Sequence, residues 1–418
     1  MNQKEIYGAI EFVDHEVRFI LGEFHNNQLN ILKTESLYTD AIDKIEIVDT
    51  NKLVENIQEI ITDVSDKMGF TIDKIILLIP SYSIKRYSKR VKIVNFEESD
   101  YFSKKDVNDA ITQALDLEYA DNEILINQVF NRYIIDGVSS KKLKLDKKIS
   151  RLYVDVDLYT GPKALIFDYI SVIEKAGFAV LDIFLDSYAM ATEMALLEPS
   201  RNKNIIIIRY ERSNLTMSLL HNGRIINSLM MDVGYADLVD SIVKDNNISR
   251  NNAEKLILTN DYLTIADNQV APVFLYSEGS ETKSIDDKYL NNLLMPILCD
   301  QFNEISQMIA PILEDKESEV YITGKGASIV SLSEICREIL KSPTKVYSPA
   351  ILGARKGSLT ACLGSIYAYK DISVLNSINE NSLNKQMYDK EIKLKEFSQS
   401  EDSMANRFKE LFKINKDN

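Results

Sequence analysis

Cysteine, positive charge and long apolar runs are all scarce in this chain of 418 residues, and each scarcity removes a class of explanation. Cys299, Cys336 and Cys362 are far apart, odd in number and form no CxxC pair. That excludes a disulfide frame and a cysteine zinc site, and suits small core residues in a reducing compartment. No apolar stretch reaches the roughly 18 residues of a membrane-spanning helix. The opening, MNQKEIYGAIEF, has no charged-then-apolar leader, so a cytoplasmic protein is expected. Acidic residues outnumber basic ones, giving a net charge of −14. Binding to nucleic acid, or adhesion of a whole surface to anionic lipid, needs a basic footprint. Any membrane contact must therefore be local. His15, His25 and His221 each sit near a hairpin turn without ligand spacing and read as solvent-exposed. The acidic run Phe96-Glu97-Glu98-Ser99-Asp100 reads as a solvated loop, and no Ser/His/Asp or Cys/His arrangement stands out.

What is present is ordinary globular material, 45% hydrophobic and 27% charged, in a chain too long for one core. Tyr7 to Leu37 reads as three short strands, with turns at Asp14-His15 and Asn26-Asn27. Leu53, Ile57, Ile60, Ile61 and Val64 lie at helical spacing and stop before Gly69. The buried strand KIILLIP follows. From about Tyr82 to Tyr159 the pattern is that of an α+β insertion, with strands in RYSKRVKIV, INQVFNRYIIDG and RLYVDVDLY and a helix in KKDVNDAITQALDLEY. Pro162 can start the next helix and Gly177 can end it. At Asn204 a second three-strand pattern begins, NIIIIRY, LTMSLLHNG and RIINSLMMD, with a turn at Asn222-Gly223. Helices are predicted at about 234–245, 249–258, 288–313 and 331–340, with a less regular stretch at 260–285. KVYSPA and the apolar helix GSLTACLGSIYAY close the pattern. Two meanders, each leading into helices and a further buried strand, predict an α/β fold of two like halves, a pattern that resembles the actin and sugar-kinase superfamily, whose two lobes face a cleft.

Several stretches then acquire a family likeness. LYTGPKALIFDYISVIEKAGFAVLDIFLDSYAMATEMAL resembles the corresponding region of FtsA, an actin homologue of cell division. IDKIEIVDTNKLVENIQEIITDVSDKMGFTIDKIILLIP, GYADLVDSIVKDNNISRNNAEKL and SEVYITGKGASI resemble it in the same order, over about residues 1–370. The resemblance implies an actin-like fold with an FtsA-type 1C insertion. It assigns 1–81 and 160–200 to subdomain 1A, 82–159 to 1C, 201–235 and 313–370 to 2A, and 236–312 to 2B. Residues 371–402 become a disordered linker and 403–418 an amphipathic membrane-targeting helix.

An actin fold holds ATP and its metal between two hairpin tips whose glycines let backbone N–H groups approach phosphates. The first tip here is Glu11 to Glu16 and the second Arg209 to Leu215, and neither contains glycine. Glu11, Asp14 and Glu16 face the phosphate position, and Arg209 and Arg212 could offset them. The expectation is no cofactor, or ATP and magnesium held weakly, and a pseudo-ATPase that is not an enzyme. Gly234, Glu254, Gly324 and Gly326 fall where the resemblance places nucleotide contacts.

In SMANRFKELFKINK, the side chains Met404, Phe408, Leu411 and Phe412 share one helical arc of about 100°. Arg407, Lys409 and Lys413, with Lys416, outweigh Glu410 in an otherwise acidic chain. This predicts an interfacial helix on anionic lipid. The resemblance implies three partners: the FtsZ C-terminal peptide, with Arg250 and Lys255 as candidate contacts, the inner membrane face, and further copies in a filament. Nucleic acid is not among them. The alternatives are a PilM-like actin-fold assembly component of a pilus or secretion system, or an ATP-binding FtsA with an unusual site. A sugar or acetate kinase would need intact glycine tips.

Overall fold

The computed structural model describes residues 5–94, 101–103, 106–107, 109–110, 112, 119–140, 148–263, 270–278, 281–315, 317–376 and 380–383. Strands β1 (Glu5–Val13), β2 (Glu16–His25) and β3 (Gln28–Tyr38) form an antiparallel meander. Its turns put His15, Asn26 and Asn27 at positive φ, a region that short polar side chains tolerate better than most. A small hairpin, β4 (Ile42–Asp43) with β5 (Glu46–Ile47), precedes α1 (Thr50–Met68). The Asp49 carboxylate caps α1 by accepting from Lys52 N, and Gly69 ends it in the left-handed conformation. The predicted apolar stripe of α1 is its buried face. β6 (Lys74–Ile79) then pairs parallel to β1.

The insertion forms its own sheet in the order β7-β10-β8-β9, from β7 (Lys85–Ile93), β8 (Glu123–Ile135), β9 (Val138–Ser140) and β10 (Leu152–Pro162). Ile93, Phe102, Tyr133, Leu152 and Val154 belong to its separate core. Of the helix predicted in KKDVNDAITQALDLEY, the described residues Asp106, Val107, Asp109, Ala110 and Thr112 are helical. Helix α2 (Lys163–Lys175), β11 (Ala179–Leu185) and α3 (Asp186–Glu193) complete the first lobe, whose sheet runs β11-β6-β1-β2-β3.

The second lobe repeats that topology. β12 (Asn204–Tyr210), β13 (Leu215–His221) and β14 (Arg224–Met231) form the meander. Helices α4 (Ala236–Asn246) and α5 (Arg250–Thr259) follow, then the hairpin β15 (Pro272–Glu278) and β16 (Glu281–Asp286), and then α6 (Asp287–Asp315). β17 (Ser318–Thr323), α7 (Leu332–Leu340) and β18 (Thr344–Val346) give a sheet in the order β14-β13-β12-β17-β18. Both meanders thus end against a parallel strand brought back by a crossover, as the sequence pattern predicts.

Three expectations are corrected. The stretch 260–285 contains the hairpin β15–β16, whose strands are short and half polar and leave little periodic signal. The last helix, α8 (Thr360–Asn376), packs on the first sheet and α3, not on the second lobe, because its apolar residues Ala361, Leu363 and Ile366 join the first core. Residues 371–376 continue this helix, and Glu380–Leu383 is sewn to the first sheet, so the expected linker is structured at its start. Ser382 N donates to Ile6 O, the amides of Asp73 and Lys74 donate to Ser382 O, and Gly8 N donates to Ser382 Oγ. A serine buried among the ends of β1 and β6 supplies polar partners those strand ends would otherwise lack. Residues 403–418 lie outside the described residues.

Two of these contacts carry predictions. At Gly364 an added Cβ would lie 1.8 Å from Ala189 O, so α3 and α8 meet backbone to backbone. Gly364→Ala is therefore expected to destabilise the chain by about 1–3 kcal/mol or more in denaturant unfolding, and an unchanged midpoint would contradict this packing. Glu193, at the end of α3, is pushed up to about 7 by burial, although the Tyr347 hydroxyl, donating to Oε1 at 3.1 Å, pulls it down. A carboxyl raised in the folded state contributes stability that is complete below its ordinary pKa of 4.5 and is lost as pH rises through 7. Glu193→Gln keeps an acceptor for Tyr347 and should flatten the decline in melting temperature between about pH 5 and 8. An equally steep decline in the variant would remove Glu193 as its source.

Candidate functional site

The two meander tips face each other across the cleft and are in contact. Ser213 N, on the second tip, donates to Asp14 Oδ2 on the first at 2.6 Å, and Asp14 Oδ1 accepts from Lys44 N. Beside this contact the Arg212 guanidinium lies 5.2 Å from the centre of the Tyr38 ring, and Lys44 pairs with Asp232 at 2.9 Å. The Ser213–Asp14, Arg212–Tyr38 and Lys44–Asp232 contacts each join one lobe to the other.

Behind the tips lies a buried ionic network. Glu11 of β1 and Arg18 of β2 are cross-strand partners, so their side chains share one face of the sheet. Arg18, 1% exposed, donates from Nη1 to Glu211 Oε1 and from Nη2 to Glu211 Oε2, both at 2.8 Å. It also holds Glu16 through Nε and Nη2, and donates from Nη1 to the carbonyl of Ser358. Arg209 of β12 reaches Glu11 Oε1 at 2.6 Å, Asp186 Oδ2 at 2.9 Å and Glu211 Oε1 at 3.1 Å. The other oxygen of Asp186 accepts from the amides of Ser81 and Ser187, which fixes the carboxylate at the start of α3.

The network sorts its acids by partner. Burial raises the Glu211 carboxyl, but Arg18 and then Arg209 bring it down to about 2. Glu16 is likewise lowered, with Arg18 and Lys325 outweighing burial. For Glu11 burial wins over both arginines and its pKa is raised. Consistently, Glu11 Oε1 accepts no well-aligned hydrogen bond despite its closeness to Arg209.

The candidate nucleotide residues are turned to the protein's own chain. An added Cβ at Gly234 would lie 2.1 Å from Arg212 O, so the second tip occupies the space this glycine opens. The amides of Tyr235 and Ala236, at the start of α4, donate to Glu211 O and Arg212 O. Gly324 and Gly326 press against Tyr210 in the same way. Glu254 accepts from the Tyr235 hydroxyl and pairs with Lys325 at 2.8 Å. A triphosphate and its cation need open donors and room between the tips. The donors at α4 are already engaged, the tips touch, and carboxylates line the gap, so the residues present do not fit that group.

The remaining candidates are scattered. Arg250 and Lys255 are exposed on α5, and Arg250 pairs with Asp240. Arg212 stacks on Tyr38 and does not offset the tip carboxylates as expected; Arg18, unremarked in the sequence, does so instead. His25 is exposed as predicted, whereas His15 and His221 are half-buried. His15 stacks on Tyr38, and His221 Nδ1 lies 2.8 Å from Asn204 Oδ1. Asp14, His15 and Asp43 bring one ligand atom each within 4.8 Å of one another, but both Asp14 oxygens already accept backbone amides. Phe96 to Asp100 and the membrane candidates Met404, Arg407, Phe408, Lys409, Leu411, Phe412 and Lys413 lie outside the described residues. Among the described residues, no helix is long and apolar enough to cross a membrane.

Arg18 and Asp186 escaped the sequence reading. A signal existed for Arg18, a charge set between the apolar residues Val17 and Phe19 in a strand buried from Val17 to Gly22. Such an arginine demands carboxylate partners.

No family model matches the chain. It is 22% identical over 363 residues to the cell division protein FtsA of Enterococcus faecalis, covering 85% of this chain and 81% of that one. To FtsA of Bacillus subtilis it is 21% identical over 383 residues, covering 88% and 84%. The fold is similar to that of the PilM-PilN type IV pilus biogenesis complex, at a TM-score of 0.56 and 11% identity over 86% of this chain and 98% of the other. MreB5 of Spiroplasma citri bound to ADP is similar at a TM-score of 0.51 and 13% identity, over 90% and 99%. The chain is thus similar to FtsA over most of its length and has an actin-like fold, and neither meander tip contains a glycine.

Proposed function

We propose that this chain is a cell-division adaptor that tethers FtsZ filaments to the cytoplasmic membrane and assembles with its own copies, with ATP hydrolysis weak or absent. The observation that carries the reading is the similarity to FtsA along more than four-fifths of both chains, set beside a locally basic amphipathic segment at 403–418. The body supplies the partner surface. The segment supplies a lipid contact that a chain of −14 cannot make over its whole surface. The degenerate tips favour a scaffold over a phosphoryl-transfer enzyme, since such catalysis rests on positioning phosphates and metal.

A PilM-like role in a pilus or secretion assembly is the second reading, favoured by the fold likeness to the PilM-PilN complex. A pull-down with an FtsZ C-terminal peptide separates the two. Retention of the full chain, to the same extent with and without ATP and reduced by Arg250→Glu with Lys255→Glu, is the result expected. No retention under either condition would overturn the FtsZ reading.

A further inference from the structure

The cleft mouth of this fold is closed by the protein itself. At the cleft floor the lobes share an apolar core in which Ile205, Ile207, Leu220 and Ile225 of the second lobe meet residues of the first. At the mouth, polar and charged contacts among the described residues join the lobes. Arg18 crosses to Glu211, Arg209 crosses to Glu11 and Asp186, Lys325 approaches Glu16 at 3.9 Å, and Ser213 N binds Asp14. Arg18, Arg209, Glu11, Glu211, Asp186 and Asp14 are each at least nine-tenths buried.

We infer that these side chains replace a nucleotide and its cation as the cement between the lobes, so that the closed arrangement is set within the chain and needs no ligand. The charges are placed for this. Arg209 of the second lobe inserts between Glu11 and Asp186 of the first, and Arg18 of the first lobe lies between its own Glu16 and Glu211 of the second, as a cation would between phosphates and acids. The bidentate geometry of Arg18 on Glu211 fixes direction as well as distance. The backbone donors that could greet an anion at the start of α4 are spent on Glu211 O and Arg212 O. MreB5 of Spiroplasma citri, of similar fold, was solved with ADP bound. In this chain the tips touch, Ser213 N donating to Asp14 Oδ2 at 2.6 Å. The inference is independent of membrane tethering and FtsZ binding, and concerns what fixes the shape of the body.

The test is a distance measurement between the lobes in the full chain. Spin labels are placed on the exposed positions Glu59 of α1 and Glu338 of α7, each changed to cysteine, with Cys299→Ser to remove the half-exposed native thiol. Pulsed electron resonance is expected to give one narrow distance population without nucleotide, unchanged by millimolar Mg-ATP or Mg-ADP. Titration calorimetry should show no binding heat for either. A broad distribution that narrows with nucleotide, or a calorimetric isotherm with submillimolar Kd, overturns the inference. Glu211→Gln, which keeps the shape but removes the charge facing Arg18, should add a second population at longer distance. A folded Glu211→Gln protein with the wild-type distribution also overturns it. Should that variant not fold, the two wild-type measurements decide.

Discussion

Arg209→Met is expected to destabilise the chain by about 3–5 kcal/mol, because it removes one partner of a buried network and leaves the others uncompensated. Three carboxylates, Glu11, Asp186 and Glu211, lie within 3.1 Å of this guanidinium. Methionine fills much of the volume, so the effect is electrostatic and not a cavity. The same network gives the acid limb of stability its sign. Glu211 is held down to about 2, so its contribution is fully present above its ordinary 4.5 and is lost as pH falls toward 2. In Arg209→Met that acid limb should move to higher pH, because Glu211 loses one of its two cations. Urea unfolding at neutral pH and at about pH 4 measures both effects. A midpoint near wild type at neutral pH would mean that the arginine is solvated and the cleft open in solution.

The second large effect is on membrane binding. Phe408→Glu with Phe412→Glu is expected to abolish co-sedimentation with anionic vesicles while leaving the melting temperature of the body unchanged. Each large apolar side chain contributes about 1.5–3 kcal/mol when fully buried, and insertion at an interface is partial. Each cation near anionic lipid adds about 1 kcal/mol. Ordering the helix costs about 1–2 kcal/mol per residue of backbone freedom, partly offset by its hydrogen bonds. One copy should therefore bind reversibly and an array should hold by avidity, so wild-type binding should rise steeply with protein density on the vesicle. Pelleting of the double variant at wild-type levels would remove 403–418 as the anchor.

Much of the fold was legible because strand alternation and helical spacing are local signals. The meanders at Tyr7–Leu37 and Asn204–Met231, the stripe on α1 and the two-lobe layout all follow from them. The hairpin β15–β16 was not legible, because its strands are short and its alternation is half polar. Nor was the docking of Glu380–Leu383, where Ser382, the Lys74–Glu380 pair and the buried Leu383 meet residues about 300 or more positions away in the chain. The loss of glycine at the tips was readable directly, and it pointed to the right place. What fills the place was not readable, since Arg18 and Glu211 are 193 residues apart and only the closed cleft brings them together. Gly234, Gly324 and Gly326 taught a related lesson. Their lack of a side chain serves a close backbone approach, and sequence alone cannot say whether the approaching group is a phosphate or the chain itself.

The adaptor role is tested most directly by a flotation assay with three components: anionic vesicles, the full chain and fluorescent FtsZ polymerised with GTP. FtsZ should float with the vesicles only when the chain is present, to the same extent without ATP, and should stay at the bottom with the Phe408→Glu, Phe412→Glu variant. FtsZ that remains at the bottom while the wild-type chain itself floats would contradict the account.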